Sequence, residues 1–451
     1  MKKIIFLIAS ILLMACSQEE AMKIADNDLQ STTNHRFQKI SVEQAKQRLH
    51  QFMNSCGRQT RSTDPEVAEV FTLKVSLSDS TGSGDVGIVD TIAIGPNHPG
   101  IQPEDAKLLE YAYVFNFTED GFAIMGAIEE LPEVIAFSDD GYIPDPEKQV
   151  TETNSIHNPM VTTYLQELAY YAAYIISNSV NDDGSDPIKT KIYGPWSEGR
   201  YIESRLCPVQ WHQRSPYNKL FPQGEKGKQP VGCITAAVAQ YMACFKYPAS
   251  YNGYSFDWDA MINSGGILDH YVDTESMIAQ LMYQLSRPNN LNIIYNPGTD
   301  ESEGYIKDIP RTMQKFGYSN KGETYLYTQD AVLNQLRNGF PVIMGGYRKK
   351  EDKPKKKEGH AWLIDGLYEK SREVSVTLKS GYKYTVTEYS YLYRCNWGWE
   401  EDPMQGNYNG WFVAGNFDPH QKVDPQNADM STDVTSVSRF DSLQTFYGAT
   451  P

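Results

Sequence analysis

The sequence has a deficit of positive charge. It carries 41 Lys and Arg residues against 57 Asp and Glu residues, a formal net charge of −16 at pH 7. A nucleic-acid-binding protein needs a basic face that displaces counterions from phosphates, so the sequence predicts no nucleic-acid partner. The same deficit argues against adhesion to anionic lipid by charge alone.

Long apolar runs are also scarce. The first is residues 4–14, which follow Lys2 and Lys3 and are too short to span a bilayer, as is typical of a signal peptide. The tetrapeptide L-M-A-C that ends at Cys16 resembles a bacterial lipobox, in which the cysteine is acylated. We therefore predict a signal peptide over residues 1–15, lipidation at Cys16 and a flexible tether over residues 16–35. The membrane would be a partner only through this lipid anchor.

These features predict an exported protein, an outer-membrane or cell-surface lipoprotein whose mature form could also be released. The alternative is an ordinary secretory signal in which Cys16 is incidental.

Cysteine and histidine are both rare, with six and eight residues in 451. Once Cys16 is set aside, five cysteines remain, an odd number that leaves at least one free thiol or an intermolecular bond. They are Cys56, Cys207, Cys233, Cys244 and Cys395. Pairing among the four other than Cys233 is open from the sequence.

The length allows two or three domains. A helical pattern over residues 37–51 precedes strands and turns over residues 69–140 and a helix over residues 158–177. The polar run 181–187 reads as a linker, because its aspartate spacing does not match a calcium-binding loop. From about residue 191 helices come first and strands later. We predict an α+β chain with domains over residues 36–190 and 191–451.

In the second domain the expected helices and strands have these limits: helices Cys233–Phe245, Thr274–Leu285 and Gln329–Arg337, and strands Pro341–Met344, Ala361–Asp365, Val374–Leu378, Tyr384–Tyr393 and Gly410–Val413.

Cys233 lies at the first turn of the predicted helix, directly after a glycine. Unpaired backbone N–H groups and the positive end of the helix dipole meet there, and both lower a thiol pKa. This position favours a nucleophile over the alternative, a small buried apolar residue. For Cys244, on the same helix, we keep the second interpretation.

A cysteine nucleophile needs a base, and His360 in E-G-H-A-W-L-I-D-G (residues 358–366) is the candidate. It follows Cys233 by 127 residues, close to the order and spacing of papain-like enzymes. In C-N-W-G-W-E-E (residues 395–401), Trp397 and Trp399 could shield and orient a charged imidazole. The alternatives are a hydrogen-bonded histidine at a strand end and tryptophans of the core.

The motifs V-G-C-I-T-A-A-V-A-Q-Y-M (residues 231–242), G-H-A-W-L-I-D-G and N-W-G-W, with Q-R-S-P-Y-N at residues 213–218, closely resemble the streptopain family of papain-like cysteine peptidases. Residues 113–121 and 135–141, with the helix near Tyr164, are similar to the inhibitory propeptide of that family. The resemblance implies a two-lobed catalytic domain, with a helical lobe and an antiparallel β lobe, preceded by an α+β propeptide domain.

Carried over by position, Cys233 would be the nucleophile and His360 the general base and acid. Gln213 and the Cys233 backbone N–H would form the oxyanion hole. Trp397 and Trp399 would wall the site and one of them would orient His360, with Asn396 as another candidate for that role. The resemblance implies a thioester acyl-enzyme released by water, and no metal or organic cofactor.

The resemblance further implies a zymogen. Residues 36–190 would inhibit the enzyme and be cut off in the polar linker, with the enzyme itself a candidate for that cut. Partners would be protein or peptide substrates and the chain's own propeptide. The basic residues 348–358 are expected to form a solvated loop that could gate the cleft or be nicked.

Two rival functions remain. One is a catalytically inactive, protease-like binding lipoprotein, although the complete set of Cys233, His360 and Gln213 favours an enzyme. The other is an amidase or transferase that uses the same dyad on a non-protein amide.

Overall fold

The computed structural model describes most of the chain beyond residue 37. The described residues are 38–55, 66–79, 86–91, 107–118, 120–146, 148, 156, 158–180, 188–203, 205–225, 227–263, 272–296, 298–299, 301–350, 353–399, 406–417 and 442–451. The residues Lys39–Pro451 form one compact unit. The predicted signal peptide, tether and Cys16, together with Cys56 and the linker 181–187, lie outside the described residues.

Seven described helices carry the labels α1–α7. They are α1 (Val42–Ser55), α2 (Pro159–Val180), α3 (Cys233–Phe245), α4 (Trp258–Asn263), α5 (Val272–Ser286), α6 (Ile309–Lys315) and α7 (Gln329–Arg337), with short 3-10 turns at Ile306–Asp308 and Ala414–Phe417. In the described part of the chain, no helix combines the length and the apolar character that a membrane span requires.

Thirteen of the described strands join into one sheet. They are β1 (Val67–Asp79), β2 (Val86–Thr91), β3 (Lys107–Phe117), β4 (Phe122–Gly126), β5 (Val134–Ser138), β6 (Ile188–Tyr193), β7 (Arg200–Glu203), β14 (Asn320–Leu326), β15 (Val342–Lys350), β16 (Lys353–Leu378), β17 (Lys383–Asn396), β18 (Gly410–Val413) and β19 (Ser442–Thr450). Three small hairpins complete the set: β8–β9 (Gln223–Gly224, Gly227–Lys228), β10–β11 (Ser250–Tyr251, Tyr254–Ser255) and β12–β13 (Ile294–Tyr295, Ser302–Glu303).

The order of the sheet joins the two halves of the chain. It runs β14-β19-β15-β16-β17-β18-β5-β4-β3-β1-β2, and β6 and β7 pair with β16 outside that path. The register of the junction is antiparallel, with Gly410 opposite Ser138 and Phe412 opposite Ala136. We call residues 39–180 the amino-terminal part and residues 188–451 the peptidase part.

Helix α3 is the centre of the peptidase core. Ten of its residues, from Ile234 to Ala243, are buried, so the helix is covered on all sides. Side chains from α4, α5 and α6 and from β15 and β16 pack around it. The α+β class predicted from the sequence is confirmed.

The basic loop predicted before His360 is not observed as such. Strands β15 and β16 pair through most of that segment, with Arg348 opposite Glu358 and Lys349 opposite Lys357. A run of lysines gives no apolar alternation, so the sequence did not indicate a strand, but the ladder begun by the buried residues at Val342 continues outward. The solvated-loop prediction is therefore wrong for the described residues of this hairpin.

Candidate active site

Cys233 is the first residue of α3. The backbone N–H groups of Ala361, Ile234 and Cys233 itself are close enough to the Cys233 sulfur to lower the pKa of its thiol. Such donors at a helix start stabilise a thiolate. Because Ala361 directly follows His360 in β16, the same contact brings the Cys233 sulfur beside the histidine.

Gly232 sets the approach to this sulfur. Its φ of 93° and ψ of 138° lie in a region that favours glycine. A Cβ atom on Gly232 would come within 3.2 Å of Ser302 Oγ and 3.4 Å of Ile293 Cγ2. The loop around β12 and β13 is therefore packed against the residue that precedes Cys233.

His360 is held by a main-chain atom. Its Nε2 lies 2.7 Å from the carbonyl oxygen of Trp397, and only 8% of the residue is exposed. A carbonyl oxygen only accepts hydrogen bonds, so Nε2 carries the hydrogen and Nδ1 is the basic nitrogen. An Nδ1 that is free to take a proton is what a cysteine nucleophile requires of its base.

Burial favours the uncharged forms of both groups in this conformation. Desolvation raises the pKa of the Cys233 thiol, and the surrounding N–H donors oppose that shift. Desolvation also lowers the pKa of His360 to about 4, against the opposing effect of the Trp397 hydrogen bond. The described site is thus a neutral thiol beside a neutral imidazole.

Indole rings surround the histidine. The rings of His360 and Trp399 meet edge to face with centroids 5.6 Å apart, and Trp362 lies nearly parallel to His360 at 6.3 Å. Trp399 is half-buried, whereas Trp362 and Trp397 are fully buried. The rings packed on His360 are thus those of Trp399, which the sequence analysis selected, and Trp362, which it did not, whereas the Trp397 ring packs on Trp362.

Trp397 is fixed by the segment that precedes β18. Its backbone N–H donates to Asn409 Oδ1 at 2.7 Å, and its indole Nε1–H donates to the Tyr408 carbonyl at 2.9 Å. Both bonds are buried, so they restrict the position of the carbonyl that faces His360. Sequence reasoning missed Tyr408 and Asn409, since their link to Trp397 depends on the return of the chain at β18.

The two remaining candidates lie near the same centre. The Gln213 carbonyl accepts from the backbone N–H of Val231 at 2.9 Å, which places Gln213 beside the segment that leads into Cys233. The amide of Asn396 donates to the Val209 carbonyl at 2.9 Å and accepts from the Gly398 N–H at 3.4 Å. Asn396 thus links neighbouring segments, whereas the hydrogen-bond partner of His360 is the carbonyl of Trp397.

The amino-terminal part also contacts the segment before β18 that fixes Trp397. Asp140 Oδ2 accepts from the Asn407 N–H at 3.3 Å, and Asp140 also accepts from the Tyr408 N–H. The Tyr408 hydroxyl donates to the Tyr142 carbonyl at 3.1 Å. Only a turn was predicted at Asp139-Asp140-Gly141, because the sequence carries no sign of a partner 267 residues away.

Comparison with known proteins gives a family match over the residues that build this site. The peptidase C10 family model matches residues 211–412. The thiol protease/hemagglutinin PrtT of Porphyromonas gingivalis is 25% identical over 258 residues, which cover 54% of this chain but only 26% of PrtT. Streptopain of Streptococcus pyogenes serotype M1 is 22% identical over 328 residues, covering 64% of this chain and 71% of streptopain.

Two solved structures with similarity to this chain are from Prevotella intermedia. A fragment of prointerpain A has 22% sequence identity and a TM-score of 0.46, covering 76% of this chain and 96% of that fragment. Active interpain A has 23% identity and a TM-score of 0.36, covering 54% of this chain and 93% of its own.

The family match begins at Trp211, includes Gln213, Cys233 and His360, and ends at Phe412 in β18. The family resemblance predicted from the sequence motifs is confirmed. Residues 211–412 of this chain match the peptidase C10 family model, and streptopain is among the proteins to which the chain is similar.

Proposed function

We propose that this chain is a cysteine endopeptidase that hydrolyses peptide bonds in proteins through Cys233 and His360. One observation carries the proposal: the Cys233 sulfur, at the start of α3, lies close to the backbone N–H of Ala361, the neighbour of a histidine whose Nε2 is hydrogen-bonded to the Trp397 carbonyl. That arrangement leaves Nδ1 of His360 as the proton acceptor next to a nucleophile.

The reaction has two steps. His360 Nδ1 takes the Cys233 proton as the sulfur attacks the scissile carbonyl, and the resulting imidazolium protonates the leaving amine. Water, activated by the same imidazole, then hydrolyses the thioester and restores the thiol. Side chains and water suffice for this chemistry, in keeping with the prediction of no cofactor.

The tetrahedral intermediate needs hydrogen-bond donors for its oxyanion. We assign the Cys233 backbone N–H and the Gln213 side-chain amide to that role. Gln213 is half-buried and its main chain is bonded to Val231, two residues before Cys233. A donor there would meet charge that develops only in the transition state.

We infer that the amino-terminal part lies within an inhibitory propeptide, which the sequence analysis predicted over residues 36–190 and which the pairing of β6 shortens to end before Ile188. Asp140 and Tyr142 bind the segment at Asn407 and Tyr408, and that segment fixes Trp397, which orients His360. The amino-terminal part therefore contacts the support of the histidine. Since β6 is paired with β16, we place the activating cut before Ile188, in the polar linker.

We propose export and lipidation from the sequence of the first 16 residues alone. Acylation of Cys16 would anchor the zymogen at the cell surface or outer membrane, and the cut before β6, followed by dissociation of the amino-terminal part, would release the peptidase part from that anchor. A Cys16→Ser chain would then be released in soluble form before any processing.

The catalytic assignment is tested on purified chains that begin after Cys16, with the natural sequence and with Cys233→Ala. Each is incubated with reductant and followed by intact mass and by casein hydrolysis without an added acyl acceptor. We expect the natural chain to shorten near residue 188 and gain activity that an epoxide inhibitor of cysteine peptidases abolishes. The Cys233→Ala chain should remain whole and inactive.

Cys244→Ala is the matched control, because Cys244 lies on the same helix but outside the site. It should process and cleave casein like the natural chain under reducing conditions. If natural chains stay intact, they are nicked with trypsin and assayed again. Continued inactivity would overturn the proposal in favour of a binding protein, and activity on small amides without casein cleavage would favour an amidase.

A further inference from the structure

Two thiols of the peptidase part lie against each other away from the candidate active site. Cys207 Sγ and Cys244 Sγ both donate to the carbonyl oxygen of Gln240, at 3.5 Å and 3.3 Å. Cys207 is close enough to Cys244 to raise the pKa of the Cys244 thiol, and Cys207 Sγ also lies 3.3 Å from the Val209 carbonyl oxygen. Cys207 is fully buried and Cys244 is half-buried.

The elements that carry the two sulfurs are held in place by other contacts. Cys207 is anchored by Asp365, whose carboxylate accepts from the Cys207 N–H at 3.1 Å and whose carbonyl accepts from the Leu206 N–H at 2.7 Å. Asp365 is itself paired with Arg394 at 2.7 Å in a buried contact. Cys244 is fixed by the last turn of α3. The sulfurs are thus brought together by the fold, without a bond between them.

We propose that Cys207 and Cys244 form an intramolecular disulfide that fastens the segment 205–213 to the end of α3. The two thiols lose two protons and two electrons to a disulfide oxidant, either a small-molecule disulfide or the disulfide of a thiol oxidase. One Cys207–Cys244 bond forms, and the oxidant is reduced to two thiols.

The other described cysteines are excluded as partners by their positions. Cys233 is at the opposite end of α3 from Cys244, roughly 16 Å away along the helix axis. Cys395 is buried, and its thiol contacts the Trp362 side chain. The proposed bond therefore leaves the candidate nucleophile free.

The expected effect of the bond is local. The segment 205–213 carries Gln213 at its end, and α3 carries Cys233 at its start, so the disulfide would join the two elements that supply the oxyanion hole and the nucleophile. The bond would also limit the conformations of the unfolded chain between residues 207 and 244.

Burial raises the pKa of the Cys244 thiol far above its ordinary value, so little thiolate is present in the folded protein. Oxidation should then be slow after folding and efficient while the chain folds. The test accordingly forms the bond during refolding.

The full chain with Cys233→Ala, which cannot process itself, is unfolded in urea with reductant and refolded in a buffer of reduced and oxidised glutathione. Free thiols are blocked with N-ethylmaleimide, and the protein is digested without reduction for mass spectrometry. We expect a cross-linked peptide pair containing Cys207 and Cys244 that disappears on reduction. The oxidised protein should melt about 4 °C above the reduced protein.

Cys207→Ser and Cys244→Ser should each remove the cross-link and the gain in melting temperature, whereas Cys395→Ser, the matched buried control, should keep both. The proposal is overturned if Cys207 and Cys244 are both fully alkylated after refolding, or if Cys244 is found linked to Cys56 instead. The peptide map of the parent chain decides between these outcomes even if a serine variant fails to fold. The readout is independent of peptidase activity, so it stands or fails separately from the proposed function.

Discussion

His360 donates a hydrogen bond to a main-chain oxygen, and the side chains that position this oxygen are the ones open to substitution. Asn409 is foremost among them, because its Oδ1 accepts from the backbone N–H of Trp397 at 2.7 Å in a buried environment. Asn409 is in this sense a positioning residue that acts on His360 through Trp397.

We predict that Asn409→Ala lowers kcat of the processed enzyme by about tenfold or more while KM changes little. The substitution leaves the Trp397 N–H buried without its acceptor, which costs about 1–3 kcal/mol and releases the carbonyl that faces His360. Steady-state kinetics on a peptide substrate, with kcat and KM determined over a range of pH, measure the effect.

Asn416→Ala is a suitable comparison, since Asn416 is also a buried asparagine near β18 but donates to Tyr164 of the amino-terminal part. Its kcat in the processed enzyme should match the natural value, and Asn409→Asp, which keeps an acceptor oxygen, should recover part of the loss. Equal losses in Asn409→Ala and Asn416→Ala would show a general structural effect and contradict the positioning role.

Asp140 makes the contact between the two parts sensitive to pH. Desolvation raises its pKa to about 6 from an ordinary value of 3.8, and the hydrogen bonds from Asn407, Ser138 and Tyr408 oppose the rise. A carboxyl whose pKa is raised by folding favours the folded state while protonated. Its contribution is fully present below about pH 4 and is lost as the pH rises through 6.

We predict that Asp140→Asn stabilises the full-length Cys233→Ala protein by about 1 kcal/mol at pH 7.5, because the amide removes a partly buried charge. At pH 4 the variant and its parent should melt alike. Thermal unfolding at both pH values tests this expectation. Asp259→Asn, at a solvent-exposed ion pair with Lys246, should show no such pH dependence. An equal gain at both pH values would refute the assigned cause.

At this scale the sequence predicted the groups that belong to short motifs. Cys233 was marked by its glycine and its helix, and His360 by its spacing from Cys233 and its motif. Asp140, Tyr408 and Asn409 were not predicted, because their importance comes from contacts between segments far apart in the chain. Nor could the sequence show that the carbonyl of Trp397, and not its ring, holds the imidazole.

At the scale of elements, prediction succeeded where a segment has a clear spacing of apolar residues and a residue that ends the helix or strand. Helices α3 and α7 and strand β18 have the predicted limits. Two strands predicted separately, Ala361–Asp365 and Val374–Leu378, belong to one 26-residue strand, β16. Three of the charged residues that lie between the two predicted strands form ion pairs: Glu369 with the peptidase part, Lys370 with the amino-terminal part and Arg372 with both.

Lys370 illustrates this dependence between elements. It lies on β16 and is paired with Glu133, next to β5, at 2.8 Å, with side-chain exposures of only 7% and 4%. A buried pair of this kind is costly to break, because removing one partner leaves an uncompensated charge. The exposed pair Lys246–Asp259 has a similar distance, 2.6 Å, but side-chain exposures of 56% and 74%.

We predict that Glu133→Gln lowers the free energy of unfolding of the full-length Cys233→Ala protein by about 3 kcal/mol. Adding Lys370→Met should restore part of the loss, because the remaining charge is then removed. Urea titration of the two variants and their parent measures both changes. Asp259→Asn should cost no more than about 1 kcal/mol, and a loss no larger than that in Glu133→Gln would count against the buried pair.

At the scale of the whole molecule, the main sheet continues without a break from the amino-terminal part into the peptidase part. Strand β5 pairs with β18, and β18 pairs with β17, so main-chain hydrogen bonds cross the boundary between the two predicted domains. The amino-terminal part and the peptidase part are therefore joined by main-chain hydrogen bonds as well as by side-chain contacts.

We predict that cutting the chain before Ile188 leaves both fragments together. A Cys233→Ala protein nicked in the linker by an endoproteinase that cleaves before aspartate should elute as one particle in gel filtration at pH 6, although denaturing electrophoresis shows two chains. The β5–β18 ladder and the Lys370–Glu133 pair remain intact after the cut and account for this. Immediate separation of the fragments at the first cleavage would contradict the prediction.

The β5–β18 junction also has the fewest paired residues of any two neighbouring strands along the order of the sheet. Strands β5 and β18 share three residue pairs, whereas β16 and β17 share fourteen. If the two parts separate after the cut, the main-chain hydrogen bonds that break are the few of this junction, while the longer ladders on either side remain. After such a separation β18 becomes an unpaired edge strand of only four residues. So short an edge offers little template for another chain to pair with, so separation of the two parts at this junction would add little tendency to aggregate.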